Sequence, residues 1–172
     1  MKILHIISNL GSGGAEKLVT EISIELNRKQ IKTDILTFNN NDDKYTDILN
    51  KNGIRIINLN QKNIYNPIIV FKVIKYLKNY DVVHVHLFPA SYWVALAERS
   101  ILTARPKLIF TEHSTRNRRR TKRYLKSIER FVYSTYDKVV SVSSQVQENL
   151  IDWLNPTDKS KFIVIENGID VE

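Results

Sequence analysis

Seven short apolar runs punctuate this chain, and they are separated by polar turns and by stretches with helical spacing. The runs cover residues 3–7, 32–38, 54–59, 81–87, 107–111, 138–142 and 161–165. Most are continuously apolar rather than alternating, as strands covered on both faces must be. Strands that alternate with helices, with no internal repeat, predict a Rossmann-like α/β domain. Its sheet is doubly wound, parallel and about seven-stranded, with right-handed crossovers and helices on both faces. At 172 residues the chain suits one such domain, spanning 1–172.

The connecting helices carry their own signals. Ala15, Leu18, Val19, Ile22 and Leu26 form an apolar stripe after the first run. A short helix over 45–51 ends with Gly53 as the residue after its cap. Asn66 and Pro67 read as an N-cap and first-turn proline, opening a helix to about Lys78. Residues 89–103 look apolar on most sides through Trp93, Val94, Leu96 and Ala97, so this helix is predicted well buried. Tyr124, Ile128, Phe131, Val132 and Thr135 mark the buried stripe of the next. Residues 144–147 read as a capping box opening a helix to about Leu154, which Asn155-Pro156 ends.

In such a sheet, ligands bind beyond the C-terminal strand ends near the topological switch point. That rule selects the loops at 8–14, 87–91, 112–120 and 143–144. The first is Gly-rich and leads straight into a helix, a device that can hold an anion on backbone N–H groups. It is neither G-x-G-x-x-G, because Glu16 stands where the third glycine would fall, nor a P-loop. Gly13 and Gly14 therefore have two readings: close approach to a phosphate, or only a tight turn. Glu16 suits the helix dipole.

His84 and His86 lie two apart on one strand and face one side. His86, nearer the C-terminal end, is the better site candidate, and His84 reads as a core histidine. His113 follows the fifth strand, where a ligand-contacting group belongs. As a neutral ring it could accept from a substrate hydroxyl, as a cation it could stabilise negative charge, or it could merely bond its own loop. Glu112 either orients a neighbour or is solvated. A zinc site would need more ligands than the spacing of the four histidines suggests, so no metal is expected.

The net charge of +8 is concentrated in one place. Arg116, Arg118, Arg119, Arg120, Lys122, Arg123 and Lys126 follow His113 without an intervening acid, and the remaining charges nearly cancel. This segment has three readings: a solvated loop, a phosphate-binding patch, or a patch for an anionic membrane surface. Tyr124 is its only aromatic and no nucleic-acid module is present, so no nucleic-acid partner is expected. The absence of cysteine excludes disulfides, thiolate metal sites and a catalytic thiol. No run is long enough to span a bilayer, and the N-terminus is a strand pattern rather than a signal peptide. A cytoplasmic location, peripheral at the inner membrane face if the basic patch binds lipid, is the expectation.

Taken together, the order of several segments resembles the N-terminal domain of GT-B glycosyltransferases, specifically the retaining family 4. The segments are Lys2-Ile3-Leu4-His5-Ile6, Gly13-Gly14-Ala15-Glu16, Asp81-Val82-Val83-His84-Val85-His86, Thr111-Glu112-His113, Val140-Ser141-Val142-Ser143 and Val164-Ile165-Glu166-Asn167-Gly168-Ile169-Asp170. The resemblance implies an acceptor-side domain, with the donor-binding C-terminal domain and its E-x7-E motif lying beyond Glu172 and absent from this chain. It implies transfer from a nucleotide-sugar, used as substrate with no cofactor or metal, to a saccharide or lipid-linked acceptor. Retention by same-face attack within an ion pair would need no protein nucleophile. By the same resemblance Gly13 and Gly14 approach a diphosphate of donor or acceptor. His113 contacts the transferred sugar as the catalytic residue, and His86 and Glu112 border the acceptor cleft. Surface polysaccharide synthesis is the implied setting, and the half-molecule alone is expected to be inactive. Two alternatives stand beside this: a nucleotide-sugar epimerase of the same fold, and a non-catalytic anion-binding module.

Overall fold

In a computed structural model, the described residues are 1–39, 44–101, 105–114 and 118–166, with only the backbone of Arg118 described. Seven parallel strands form one sheet: β1 (Lys2–Ile7), β2 (Lys32–Thr37), β3 (Arg55–Asn58), β4 (Val82–His86), β5 (Lys107–Glu112), β6 (Lys138–Ser141) and β7 (Phe162–Val164). Their order is β3-β2-β1-β4-β5-β6-β7, so the chain winds outward from β1, returns, and winds the other way from β4. The switch point falls between β1 and β4, which pair with His5 opposite His84.

The helices are α1 (Gly14–Arg28), α2 (Thr46–Lys51), α3 (Ile68–Leu77), α4 (Ala90–Arg99), α5 (Leu125–Thr135) and α6 (Ser144–Leu154), with a single 3₁₀ turn at Arg118–Thr121. Reversal of winding sends them to opposite faces. Ala15 and Val19 of α1 and Leu49 of α2 pack on Ile7 and Ile35. Ile69 and Val73 of α3, Val94 of α4, Val132 of α5 and Leu150 of α6 pack on Leu4, Ile6, Val83, Val85 and Phe110. Alternation along β1 therefore puts His5, between Leu4 and Ile6, on the α1 side.

Local signals decide the helix ends. Helix α3 starts one residue later than predicted, with Pro67 in the cap position, and Asn66 Oδ1 accepts from the Ile68 amide at 3.0 Å. Gly53 follows the cap of α2 at φ +72°, a conformation that a side chain would strain. Asn155 closes α6 in the left-handed region at φ 45°.

Three further expectations need correction. The cap of α6 is Ser143, one residue earlier than predicted, and its Oγ accepts from the Val146 amide at 3.3 Å. Helix α4 ends at Arg99 instead of reaching 103, and Leu96 faces out at 41% exposure while Val94, Ala95 and Ala97 are buried. In α5 the predicted stripe holds at Val132 and Thr135, which are buried, and fails at its other three positions. Tyr124, Ile128 and Phe131 are exposed, and the buried side is Glu129, Val132, Tyr133 and Thr135. The difference follows from Glu129, a buried carboxylate that finds three donors beneath the helix.

Candidate functional site

The C-terminal ends of β1, β4 and β5 bring all four histidines of the chain into one cluster. His5 and His84 are opposite in register and His86 lies one pleat further on, so the three share the α1 side of the sheet. His113 continues β5 on that side, because Thr111 pairs with His86 and points the same way. His5 Nδ1 lies 3.1 Å from His86 Nε2, and His86 Nδ1 lies 3.5 Å from His113 Nε2. His84 Nε2 meets Thr111 Oγ1 at 2.7 Å.

Burial sets the chemistry of these rings. His5 and His86 are fully enclosed, whereas His84 and His113 are partly accessible. Removal from water disfavours the imidazolium, so burial lowers His5 to about 4 and His113 to about 4. His84 and His86 fall well below the ordinary histidine value through burial and then through neighbouring histidines. All four are neutral at pH 7. The expectation that His86 borders the acceptor cleft is therefore corrected: it stands behind His113 as its hydrogen-bond partner, with no exposed surface. His5 was not singled out by sequence reasoning. Only the register of β1 on β4 could have revealed it.

The ligand nitrogens of His5, His84 and His86 lie within 4.8 Å of one another, a grouping that could hold a metal ion. Three imidazoles are a donor set that zinc accepts, but the nitrogens of this group already bond to each other and to Thr111.

Glu112 alternates with His113 and so lies on the opposite, helix-covered face. It is buried, and it ties down the loop instead of lining a cleft. Its oxygens accept from the Ser114 amide at 3.2 Å, Arg120 Nη2 at 2.7 Å and Tyr133 Oη at 2.6 Å. Burial and the Glu112 charge push the Tyr133 hydroxyl well above its ordinary value, so it remains a donor.

The basic segment divides. Arg120 pairs with Glu112, and Arg119 Nε pairs with fully buried Glu129 at 3.0 Å. The Arg119 guanidinium also lies 4.0 Å from the centre of the Phe88 ring. These two arginines are structural cations turned inward, which removes them from the predicted surface patch. Lys122 and Arg123 are exposed. Arg116 and the side chain of Arg118 lie outside the described residues, as does the Asn167-Gly168-Ile169-Asp170 stretch.

In the Gly-rich turn, Gly13 is the N-cap of α1 with ordinary negative φ. A side chain there would collide with the Glu16 carboxylate, whereas one at Gly14 would meet nothing within 4 Å. Beyond the end of β4 opens a groove of about 290 Å³ lined by Tyr65, Phe88, Pro89, Tyr92, Trp93, Arg119 and Leu125. Sequence reasoning missed this groove, although Phe88 in a predicted ligand loop and Tyr92 and Trp93 just after it were its signal. Among the described residues no helix is long and apolar enough to cross a membrane.

A sequence profile of Glycosyltransferase Family 4 matches residues 12–172. No curated protein matches the chain in sequence. Its fold is similar to that of HepE from Anabaena, solved with UDP and glucose, at a TM-score of 0.78 and 19% identity, covering 99% of this chain and 45% of that one. It is also similar to an alpha-glucosyltransferase solved with UDP and a 13-mer DNA, at 0.64 and 10% identity, covering 99% and 43%. A third similar structure is the UDP-N-acetylglucosamine 2-epimerase of Rickettsia bellii, at 0.60 and 16% identity, covering 95% and 44%. The chain thus spans less than half the length of each structure it resembles.

Proposed function

This chain belongs to Glycosyltransferase Family 4, and from that premise we propose that it forms the acceptor-side half of a two-domain GT-B transferase. The full enzyme transfers a sugar from a nucleotide-sugar to a saccharide or lipid-linked acceptor with retention. Surface polysaccharide synthesis at the inner membrane face is the proposed setting. The observation that carries this reading is His113. It is one of the two partly accessible members of the histidine cluster and the one that follows β5, beside the switch point where this architecture binds ligands. Its neutral ring can hydrogen-bond a hydroxyl of the transferred sugar. UDP in the similar HepE structure supports a uridine nucleotide as donor. The aromatic groove beside β4 offers apolar walls for an acceptor, and exposed Lys122 and Arg123 offer cations to its phosphates or to anionic lipid. This half alone is proposed to be inactive, since a cleft between two domains needs both walls to orient its reactants.

The test joins the chain to its donor-side domain and supplies UDP-, GDP- and ADP-sugars with a lipid-linked acceptor in anionic or zwitterionic vesicles. Mass spectrometry reads the product. Transfer is expected, faster on anionic vesicles, and His113→Ala is expected to lower kcat about 10²- to 10³-fold, the scale for losing one transition-state donor. Unchanged activity in His113→Ala would remove the site assignment, and equal rates on both vesicles would remove the membrane contact. The similar epimerase structure supports a second reading. It gains ground if an epimerised nucleotide-sugar appears with no acceptor present.

The Gly-rich turn carries a sharper prediction. Gly14 opens α1 with space for a methyl group, so Gly14→Ala should stabilise the fold by about 0.4–1 kcal/mol by restricting the unfolded chain. In the joined protein the same variant should bind UDP-sugar several-fold more weakly, because the methyl group keeps phosphate from the backbone. Urea denaturation and calorimetric titration read the two effects. Stabilisation with unchanged affinity would leave Gly14 a purely conformational residue.

A further inference from the structure

The hydrogen bonds among the histidines have a direction, and the direction fixes what His113 can do. Each neutral imidazole carries one N–H and one lone pair. The chain of contacts runs from His5 Nδ1 to His86 Nε2, and from His86 Nδ1 to His113 Nε2. With one proton per ring the two links must point the same way. If they ran from His113 toward His5, the last proton would sit on His5 Nε2. That nitrogen is fully buried and has no partner among the described residues. A buried N–H without an acceptor is rare in native structures, and an under-satisfied buried acceptor is less so. Running the other way leaves His5 Nε2 as a bare lone pair. His5 then donates to His86, and His86 donates to Nε2 of His113.

We infer that His5 and His86 form a relay of positioning residues that holds His113 as its Nδ1–H tautomer, so that His113 meets a ligand oxygen as a hydrogen-bond donor and not as a base. Nε2 is occupied by the relay, which leaves Nδ1 as the ring nitrogen for a ligand. The burial that keeps His5 and His86 neutral keeps the relay to one proton per ring. His84 stands outside the relay, held instead by Thr111. A donor at this place serves an oxygen that carries or gains negative charge, a phosphate or a sugar hydroxyl. Glu112 reinforces the geometry from the opposite face by pinning the Ser114 amide next to His113.

The inference rests on the reading of His113 as a site residue, yet its test does not depend on sugar transfer. Two-bond ¹H–¹⁵N spectra of the histidine-labelled full chain at pH 7.5 distinguish the two tautomers of each ring. The expected wild-type result is Nδ1–H on His5, His86 and His113. In His86→Leu the His113 signals should shift to the Nε2–H pattern. In His86→Asn, whose amide nitrogen stands near the position of Nδ1, the wild-type His113 pattern should be kept. An Nε2–H His113 in the wild type would overturn the proposal, as would an unchanged His113 tautomer in folded His86→Leu. One zinc per purified chain by elemental analysis would also overturn it, in favour of a metal site on the same rings. The wild-type spectrum decides the direction by itself, so a variant that fails to fold does not shield the inference.

Discussion

Replacing Glu129 by alanine should destabilise this chain by about 3–5 kcal/mol, the range for stripping one partner from a buried ion pair. Glu129 is fully buried. Its two oxygens accept from Arg119 Nε at 3.0 Å, Tyr92 Oη at 3.1 Å and Trp153 Nε1 at 2.7 Å. These donors come from three different elements, the 3₁₀ turn, α4 and α6, and the carboxylate itself is on α5. The substitution therefore takes the shared acceptor from one cation and two polar hydrogens and unties four elements at once. For a domain of this size the loss corresponds to a fall in Tm of roughly 10 °C or more. Glu129→Gln keeps an acceptor but not the charge, so it should cost less, about 1–3 kcal/mol. Thermal melts of both variants check the order. An alanine variant within 1 kcal/mol of wild type would mean that the turn and helices are held by their apolar contacts alone.

This carboxylate also explains why part of the candidate site was hidden in the sequence. Arg119 and Arg120 sit in a run of cations without a single acid, and a run reads as a surface patch. Their partners Glu129 and Glu112 are ten and eight residues away, on a helix phase and a strand face that spacing alone does not fix. The same uncertainty misplaced part of the α5 stripe: Ile128 and Phe131 look like core residues until Glu129 is seen to be paired, whereas Val132 and Thr135 are buried as predicted. What depends on local chemistry was legible. Apolar runs gave the seven strands, and Asn66, Gly53 and Asn155 marked helix ends through their own backbone preferences. The switch-point rule placed β1 beside β4 and drew attention to His113. What depends on register was not legible. Nothing in the residues around His5 says that it will face His84, and the relay behind His113 exists only because those two strands are paired in that alignment.

The same buried rings make the fold sensitive to acid. An unfolded chain protonates its histidines as pH falls through about 6.5, whereas native His5 resists to about 4, so between these values the unfolded state binds the extra proton. Stability is therefore complete above about pH 6.5 and is lost as pH falls. His5 alone should account for roughly 3 kcal/mol by pH 4, at about 1.4 kcal/mol for each unit between its two values. The groups acting on His84 and His86 are the other histidines, and their charges oppose protonation further. Near pH 5 unfolding should be accompanied by uptake of about two protons by His5 and His113, with His84 and His86 adding to it. Only a domain at the lower end of ordinary stability, about 5–15 kcal/mol, would then approach its midpoint in the absence of denaturant. Urea titrations at half-unit steps from pH 7.5 to 4.5 measure the slope directly. His5→Leu removes one titrating ring, so its slope at pH 5 should fall by about 1.4 kcal/mol per pH unit relative to wild type. A stability curve flat between pH 7 and 5 would mean that the folded cluster accepts protons as readily as the unfolded chain, so that burial does not hold these rings neutral below about pH 6.5.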